Sequence, residues 1–533
     1  MKLSLAGISG NANRSQWEKA GYLLPTYDIE KMRANTLKSC HWVHFGSGNI
    51  FRAFLAARMQ DLLNKGIANT GILVGEAFDW EMLDAAYDKY DNLSIDVTLK
   101  SDGTICKEVV ASVAQALRCS PKREADWARF CEVFRSPELQ MVSFTITEKG
   151  YSTAPDYVQA DILKGPAECT TVCCMVTSLL LERYKAGKLP IAVVSMDNCS
   201  RNGEKLGNGI MTIAKRWLEL GFVSQDFVDY VCNPSVVSFP WTMIDKITPR
   251  PDQSVQNMIK ADGVEDMDVV ITAKRSYVAP FVNAEECEYL VVEDSFPNGR
   301  PELQKAGILF TDRETVTKVE RMKVCTCLNP LHTAMSLAGC LLGYTKISDE
   351  MKDEDIVAYI KRLGYVEGLP VVTDPGILSP KSFIDDVVYK RLPNPFMPDT
   401  PQRIATDSSQ KLAIRFGETF KAYQNRGLDI SNLKFIPFAL ASWIRYLLGV
   451  NDEGKTFELS PDPLLESAQA DISQVKFGQP LKGGELDKIM SRSEIWGYDL
   501  STSVLKEAVI KNFESMNAGV GAVRKTLHEI VSK

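Results

Sequence analysis

The sequence predicts an α/β protein in two parts, a doubly wound, mainly parallel sheet followed by a mostly α-helical domain. Three observations carry this. Short apolar runs at W-V-H-F (42–45), G-I-L-V-G (71–75), M-V-S-F-T-I-T (141–147) and I-A-V-V-S-M (191–196) alternate with helical stretches. Gly46 and Gly48 sit between the first run and an amphipathic helix from about Ile50 to Asn64. From about residue 305 to about Val531, helical periodicity dominates and strand signals are few. The expected division is a lead-in over 1–38, a Rossmann-type nucleotide-binding domain over 39–304 and a helical domain over 305–533.

Composition narrows the function. Hydrophobic residues make up 45% and charged residues 24%, ordinary for a globular chain. A net charge of -7 gives no electrostatic reason to expect nucleic acid or an anionic membrane as partner. No apolar run approaches the roughly 20 residues that span a bilayer, and the apolar stretch at the N-terminus is short for a signal peptide. The 13 cysteines include no C-x-x-C pair and read as free thiols in a reducing compartment, so a cytoplasmic protein is expected. With only four histidines (His41, His44, His332 and His528), the expected chemistry is metal-independent.

Taken in order, residues 1–38 read as irregular, with Gly10 and Pro25 as turn residues. The turn G-S-G-N (46–49) leads into a helix whose N-terminal amides can hold a pyrophosphate, which makes Gly46, Gly48 and Asn49 cofactor candidates. Phe51 stands where a third glycine is usual, and a purely structural turn fits as well. After the next strand, Glu76 and then Asp79 sit where an acid reads the ribose hydroxyls of NAD. No Lys or Arg is close by in sequence to receive a 2′-phosphate, so NAD is favoured over NADP. Either acid also fits the first turn of a helix.

L-S-I-D-V-T-L (93–99) alternates like an antiparallel strand, with S-D-G-T as its turn. The run at 141–147 ends at Glu148-Lys149-Gly150-Tyr151, and a helix follows around 166–186. The run at 191–196 ends at Asp197-Asn198, and strand ends are where such sheets place ligands. W-T-M-I-D-K-I-T-P-R-P (241–251) puts Asp245 just before a turn, and V-E-D-S-F-P-N-G-R-P (292–301) marks a domain boundary.

The most informative stretch is Thr317 to Tyr344, an apolar helix that nonetheless carries Glu320, Lys323, Asn329 and His332. Burial penalises the charged forms of Lys and His, and a buried lysine of this kind can serve as a general base. On a straight helix Lys323 and His332 are about half a turn out of phase at 3.6 residues per turn. A one-residue π-bulge would bring the polar residues to one side, and Pro330 favours a break there. A core helix with a snorkelling Lys and a hydrogen-bonded His is the plainer alternative. Further on, Arg403 and Lys411 lie eight apart, suited to gripping a carboxylate or to forming a solvated basic face.

Seven stretches in order resemble the polyol-specific long-chain dehydrogenase/reductase family, which includes mannitol 2-dehydrogenases, fructuronate reductases and tagaturonate reductases. They are G-S-G-N-I-F-R-A-F (46–54), T-I-T-E-K-G-Y (145–151), S-M-D-N-C-S-R-N-G (195–203), M-I-D-K-I-T-P (243–249), E-D-S-F-P-N-G-R-P (293–301), K-V-C-T-C-L-N-P-L-H (323–332) and R-I-A-T-D-S-S-Q-K (403–411). The resemblance implies a Rossmann-type domain, a helical domain with the active site between them, NAD as cofactor and no metal. It implies Lys323 as general acid/base, Asn329 as the donor polarising the carbonyl, His332 on substrate hydroxyls and Glu320 passing protons to solvent. Asn198, Asp245, Arg403 and Lys411 match substrate-contacting positions.

The chain has one residue more between Lys323 and Asn329 than the family spacing, I-D-K-I for V-D-R-I, and I-F-R-A-F where mannitol dehydrogenases have F-H-R-A-H. The expected function is NAD-dependent reduction of a keto-sugar acid, D-fructuronate to D-mannonate. Mannitol/fructose interconversion and tagaturonate reduction are the alternatives, and a non-catalytic NAD-binding regulator is the reading from another class. The expected partner is a small sugar acid or polyol, and the expected state a monomer or weak homo-oligomer.

Overall fold

The computed structural model describes residues 1–532. Six parallel strands form the central sheet: β1 (Trp42–Phe45), β2 (Ile72–Glu76), β3 (Val113–Arg118), β4 (Met141–Phe144), β5 (Ile191–Ser195) and β6 (Val237–Ser238), in the order β3-β2-β1-β4-β5-β6. That order reverses between β1 and β4, the switch point at which such sheets bind a dinucleotide. Strands β1, β2, β4 and β5 are buried along their whole length, as expected when both faces are covered by helices. Helices α1 (Ala56–Asn64), α2 (Glu124–Arg135), α3 (Val172–Lys185) and α4 (Asn202–Glu219) provide that cover, and each buries an apolar stripe.

The lead-in is more ordered than its sequence indicates. It carries helices Asn11–Lys19 and Ile29–Lys38, and Tyr22–Leu23 joins a four-stranded sheet by pairing with Lys107 and Glu108. A two-residue strand has no periodicity of its own; its partner lies far along the chain. The same sheet holds Ser94–Leu99 antiparallel to Ile105–Val110, as the 93–99 alternation predicts, and adds Phe281–Glu285 in parallel.

The chain forms two compact units, Met1–Thr317 and Lys318–Lys533. The first extends past the Pro/Gly-rich stretch at 292–301 because Leu309–Thr311 still pairs with strand Tyr289–Glu293. The second unit is built from helices. Helix α5 (Arg313–Met322) leads into it, α6 (Asn329–Leu342) packs against α7 (Phe435–Tyr446), and α7 packs against α8 (Lys506–Asn517). Every residue of α7 is buried. Among the described residues, no helix is long and apolar enough to cross a membrane.

Candidate active site

The predicted site residues fall in both units. In the first unit the chain leaves β1 through Gly46, whose φ of +107° only glycine adopts without strain. A Cβ on Gly46 would lie 2.4 Å from the Thr145 carbonyl oxygen. A Cβ on Gly48 would meet nothing within 4 Å, so the backbone there is open to the approach of a diphosphate. The first helical bond runs from the Arg52 amide to the Gly48 carbonyl at 3.2 Å, and the amides before it have no upstream helical carbonyl to bond.

Phe51, at the third-glycine position, is buried and stacks on His44 with ring centroids 4.2 Å apart. After Asn49 and Ile50 the helix passes into a π turn over Phe51–Leu55. Asn49 is held from both ends. Its Nδ2 donates to the Pro249 carbonyl at 3.0 Å, and its Oδ1 accepts from Arg52, itself anchored on the Ala279 carbonyl at 2.7 Å. These bonds make Asn49 a brace of the turn.

Glu76 has a job the sequence does not reveal. Its Oε2 accepts from the Ser47 amide at 3.0 Å and the Ser47 hydroxyl, and its Oε1 accepts from the amides of Phe78 at 2.9 Å and Asp79 at 3.0 Å. The carboxylate expected to face ribose is therefore turned inward, fastening the glycine turn to the end of β2. Asp79 accepts from the Thr272 hydroxyl at 2.6 Å.

At the neighbouring strand ends, Asn198 lies exposed in the turn after β5, and Asp245 is buried as the last residue of strand Thr242–Asp245. Asp197, noted in the sequence only as a strand end, accepts from the amides of Ile146 at 3.0 Å and Thr147 at 3.1 Å and from the Tyr151 hydroxyl. Those bonds hold Thr147 at a φ of +79°, an unfavourable geometry for a β-branched residue.

In the second unit the expected bulge is present. The α-helical bonding of α5 gives way to a π turn over Lys323–Cys327, and α6 begins at Asn329. The Leu328 amide bonds back to the Lys323 carbonyl at 3.1 Å, which brings the residue before Asn329 onto the lysine's own backbone. Pro330 sits in the first turn of α6, where its missing N–H costs nothing. The Thr419 hydroxyl donates to the Cys325 carbonyl at 3.1 Å, satisfying an acceptor within the widened turn. Lys323 is buried, Glu320 and Asn329 half-buried.

His332, one turn into α6, has Nε2 4.0 Å from Asp399 Oδ2 and no hydrogen-bond partner at that buried nitrogen. Burial holds its imidazole down to about 4, opposed by Asp399 and reinforced by Arg415, Arg403 and Arg391. It is therefore neutral near pH 7. Arg403 ion-pairs with Asp399, and Lys411 donates to the Thr406 carbonyl. Burial, then the charge of Arg415, pulls Lys411 below its usual range. Arg415 donates to Thr333 beside His332, and burial lowers its guanidinium to about 10 while leaving it charged at neutral pH. Arg391, Asp399 and Arg415 were not found from the sequence. For Arg415 a signal existed, since it lies four residues after Lys411.

These findings meet those from known proteins. A family described as "Mannitol dehydrogenase Rossmann domain" matches residues 41–305, and "Mannitol dehydrogenase C-terminal domain" matches 315–517. The chain belongs to the mannitol dehydrogenase family. A D-mannonate oxidoreductase of Thermotoga maritima is 50% identical over 531 residues, covering 98% of each chain. A mannitol 2-dehydrogenase of Phaeosphaeria nodorum is 28% identical over 92% of this chain and 80% of that one. Among solved structures, a substrate-free D-sorbitol dehydrogenase superposes with a TM-score of 0.76 at 26% identity, covering 95% of this chain and 98% of that one. A Pseudomonas fluorescens mannitol 2-dehydrogenase, solved with NAD and D-mannitol, gives 0.69 at 24% identity with full coverage of both, a likeness of fold.

Proposed function

We propose that the protein is an NAD-dependent oxidoreductase that interconverts a keto-sugar acid and its hydroxy acid, D-fructuronate and D-mannonate. The observation that carries the substrate class is a set of cations: Arg415, Arg403 and Arg391 act on His332, and Lys411 lies within the field of Arg415 and Arg403. Such a set matches a carboxylate and has no counterpart on a neutral polyol. The mannonate oxidoreductase at 50% identity supports the same choice.

In this reading the bound nicotinamide supplies or accepts the hydride. Lys323 exchanges a proton with the reacting oxygen, and Asn329 donates a hydrogen bond to that oxygen as charge develops on it. Neutral His332 offers its unpartnered Nε2 to a substrate hydroxyl, and Glu320, one turn before Lys323, relays the proton outward. Arg403, Lys411 and Arg415 orient the carboxylate, and the family resemblance adds Asn198 and Asp245 as candidate substrate contacts. Gly46, Gly48 and Asn49 shape the diphosphate turn, and Glu76 holds it in place. A cytoplasmic setting belongs to the same reading.

The deciding experiment follows NADH oxidation with fructuronate, tagaturonate and fructose in parallel. Preference for fructuronate supports the proposal, whereas preference for fructose returns the assignment to mannitol chemistry. NADH binding without turnover on any of the three would favour a regulatory role.

A further inference from the structure

The end of β2 has a second neighbour that the sequence order hides. Val270–Ile271 and Tyr277–Val278 pair as a small antiparallel hairpin, and its tip is fastened to the segment after β2. The Thr272 hydroxyl donates to Asp79 Oδ2 at 2.6 Å, across 193 residues of sequence, and the Ala273 amide donates to Glu81 Oε2 at 2.9 Å. Arg275 takes a left-handed φ of +65° and bonds back to the Thr272 carbonyl at 2.8 Å, which closes the tip tightly. Lys274, at that tip, has Nζ 5.0 Å from the centre of the Phe78 ring. Phe78, two residues past Glu76, is 70% exposed.

In a sheet of this order the end of the second strand meets the adenosine ribose, where an acid reads the 2′-hydroxyl of NAD or a cation receives the 2′-phosphate of NADP. Here the acid is turned away. Both oxygens of Glu76 are taken by Ser47 and by the amides of Phe78 and Asp79, and Asp79 is bonded to the hairpin. What stands exposed is an aromatic face with an ammonium above it. The sequence excludes a cation only among near neighbours along the chain; the hairpin brings one close in space.

We propose that Lys274 meets the 2′ position of the adenosine, with the adenine laid against Phe78, and that the protein binds NADPH as well as NADH. This rests on the glycine turn being the dinucleotide site. The 2′-phosphate pairs with the lysine ammonium, an ionic contact that NADH lacks and that salt weakens.

The test is equilibrium titration of the full-length protein with NADH and with NADPH, read by nucleotide fluorescence at low and high salt, for wild type, Lys274→Ala and Lys274→Glu. The expected result is an NADPH Kd within about tenfold of that for NADH, weakened about tenfold or more by Lys274→Ala and further by Lys274→Glu, with NADH changed by less than about twofold. Because Lys274 is an exposed hairpin residue, unchanged NADH binding also reports that the variants are folded. NADPH binding more than about 100-fold weaker than NADH in wild type, or equal effects of Lys274→Ala on both nucleotides, would overturn the assignment while leaving the NAD site standing. Failure of NADH itself to bind would overturn the dinucleotide reading and this inference together.

Discussion

Leu328 donates its amide to the carbonyl of Lys323 across 3.1 Å, a bond reaching back five residues where an α-helix reaches back four. This single bond reconciles the longer lysine-to-asparagine spacing with a helix that presents Lys323, Asn329 and His332 as one functional stretch. The acceptor is the carbonyl of Lys323, the residue proposed as the acid/base, so the widened turn and that side chain share one backbone unit.

Lys323→Ala is expected to lower turnover by about 10²–10⁴-fold while NADH binding stays near wild type. Single-turnover kinetics and nucleotide titration check both parts, and near-normal turnover would remove the lysine from its role. Thr419→Val, which deprives the Cys325 carbonyl of its donor, is expected to cost about 1 kcal/mol of stability and to reduce turnover more modestly.

Arg415→Met is expected to raise KM for a sugar acid by about 10–100-fold and to change KM for fructose by much less. The guanidinium is anchored on Thr333 beside His332, so its loss removes a fixed charge next to the imidazole. Equal losses on acidic and neutral substrates, measured side by side, would take Arg415 out of carboxylate recognition. Arg403→Met should show the same selectivity, with the added release of Asp399.

His332 gives a stability signature in acid. An unperturbed imidazole titrates near 6.5, and here it is held down to about 4. Between those values the unfolded chain binds a proton that the folded protein does not. Stability is therefore fully present above about 6.5 and lost as pH falls through about 4, by at most roughly 3 kcal/mol. Denaturant unfolding of wild type and His332→Gln across this range should differ in slope, the variant being flatter.

Asp96 acts in the opposite direction. It is buried in the four-stranded sheet, its Oδ1 has no hydrogen-bond partner, and burial pushes its carboxyl up to about 7. Between about 4 and 7 the folded protein holds a proton that the unfolded chain has released, so this residue costs stability as pH rises and the cost levels off above about 7. Asp96→Asn is expected to be the more stable protein at pH 8, by a few kcal/mol, with the gap closing near pH 4. A constant difference across that range would refute the assignment.

Much of this was legible in the sequence, for physical reasons. Strands buried on both faces read as unbroken apolar runs, which is why 42–45, 71–75, 141–147 and 191–196 each mark a strand of the central sheet. The π turn was legible as one of two readings, because Lys323 and His332 are out of phase on a regular helix and only a distortion brings them to one side. What escaped depends on pairing at long range. Tyr22–Leu23 is a strand only because Lys107 and Glu108 bond to it, and Asp399 gains its meaning from His332. Glu76 escaped differently: its position in sequence is right for ribose, but four donors from its own unit had already taken the carboxylate.

That last arrangement constrains redesign. Exchanging the acid after the second strand is an obvious way to retune nucleotide preference in a sheet of this kind, yet in this chain the exchange would unfasten Ser47 and slacken the turn meant for the diphosphate. Here that carboxylate is committed to the turn, so nucleotide preference is not adjustable through it without loosening Ser47. Altering Glu76 would remove the acceptor of four hydrogen bonds at this turn, whereas changes at the exposed Lys274 leave those bonds intact. On the proposal above, the position to vary is Lys274 and not Glu76.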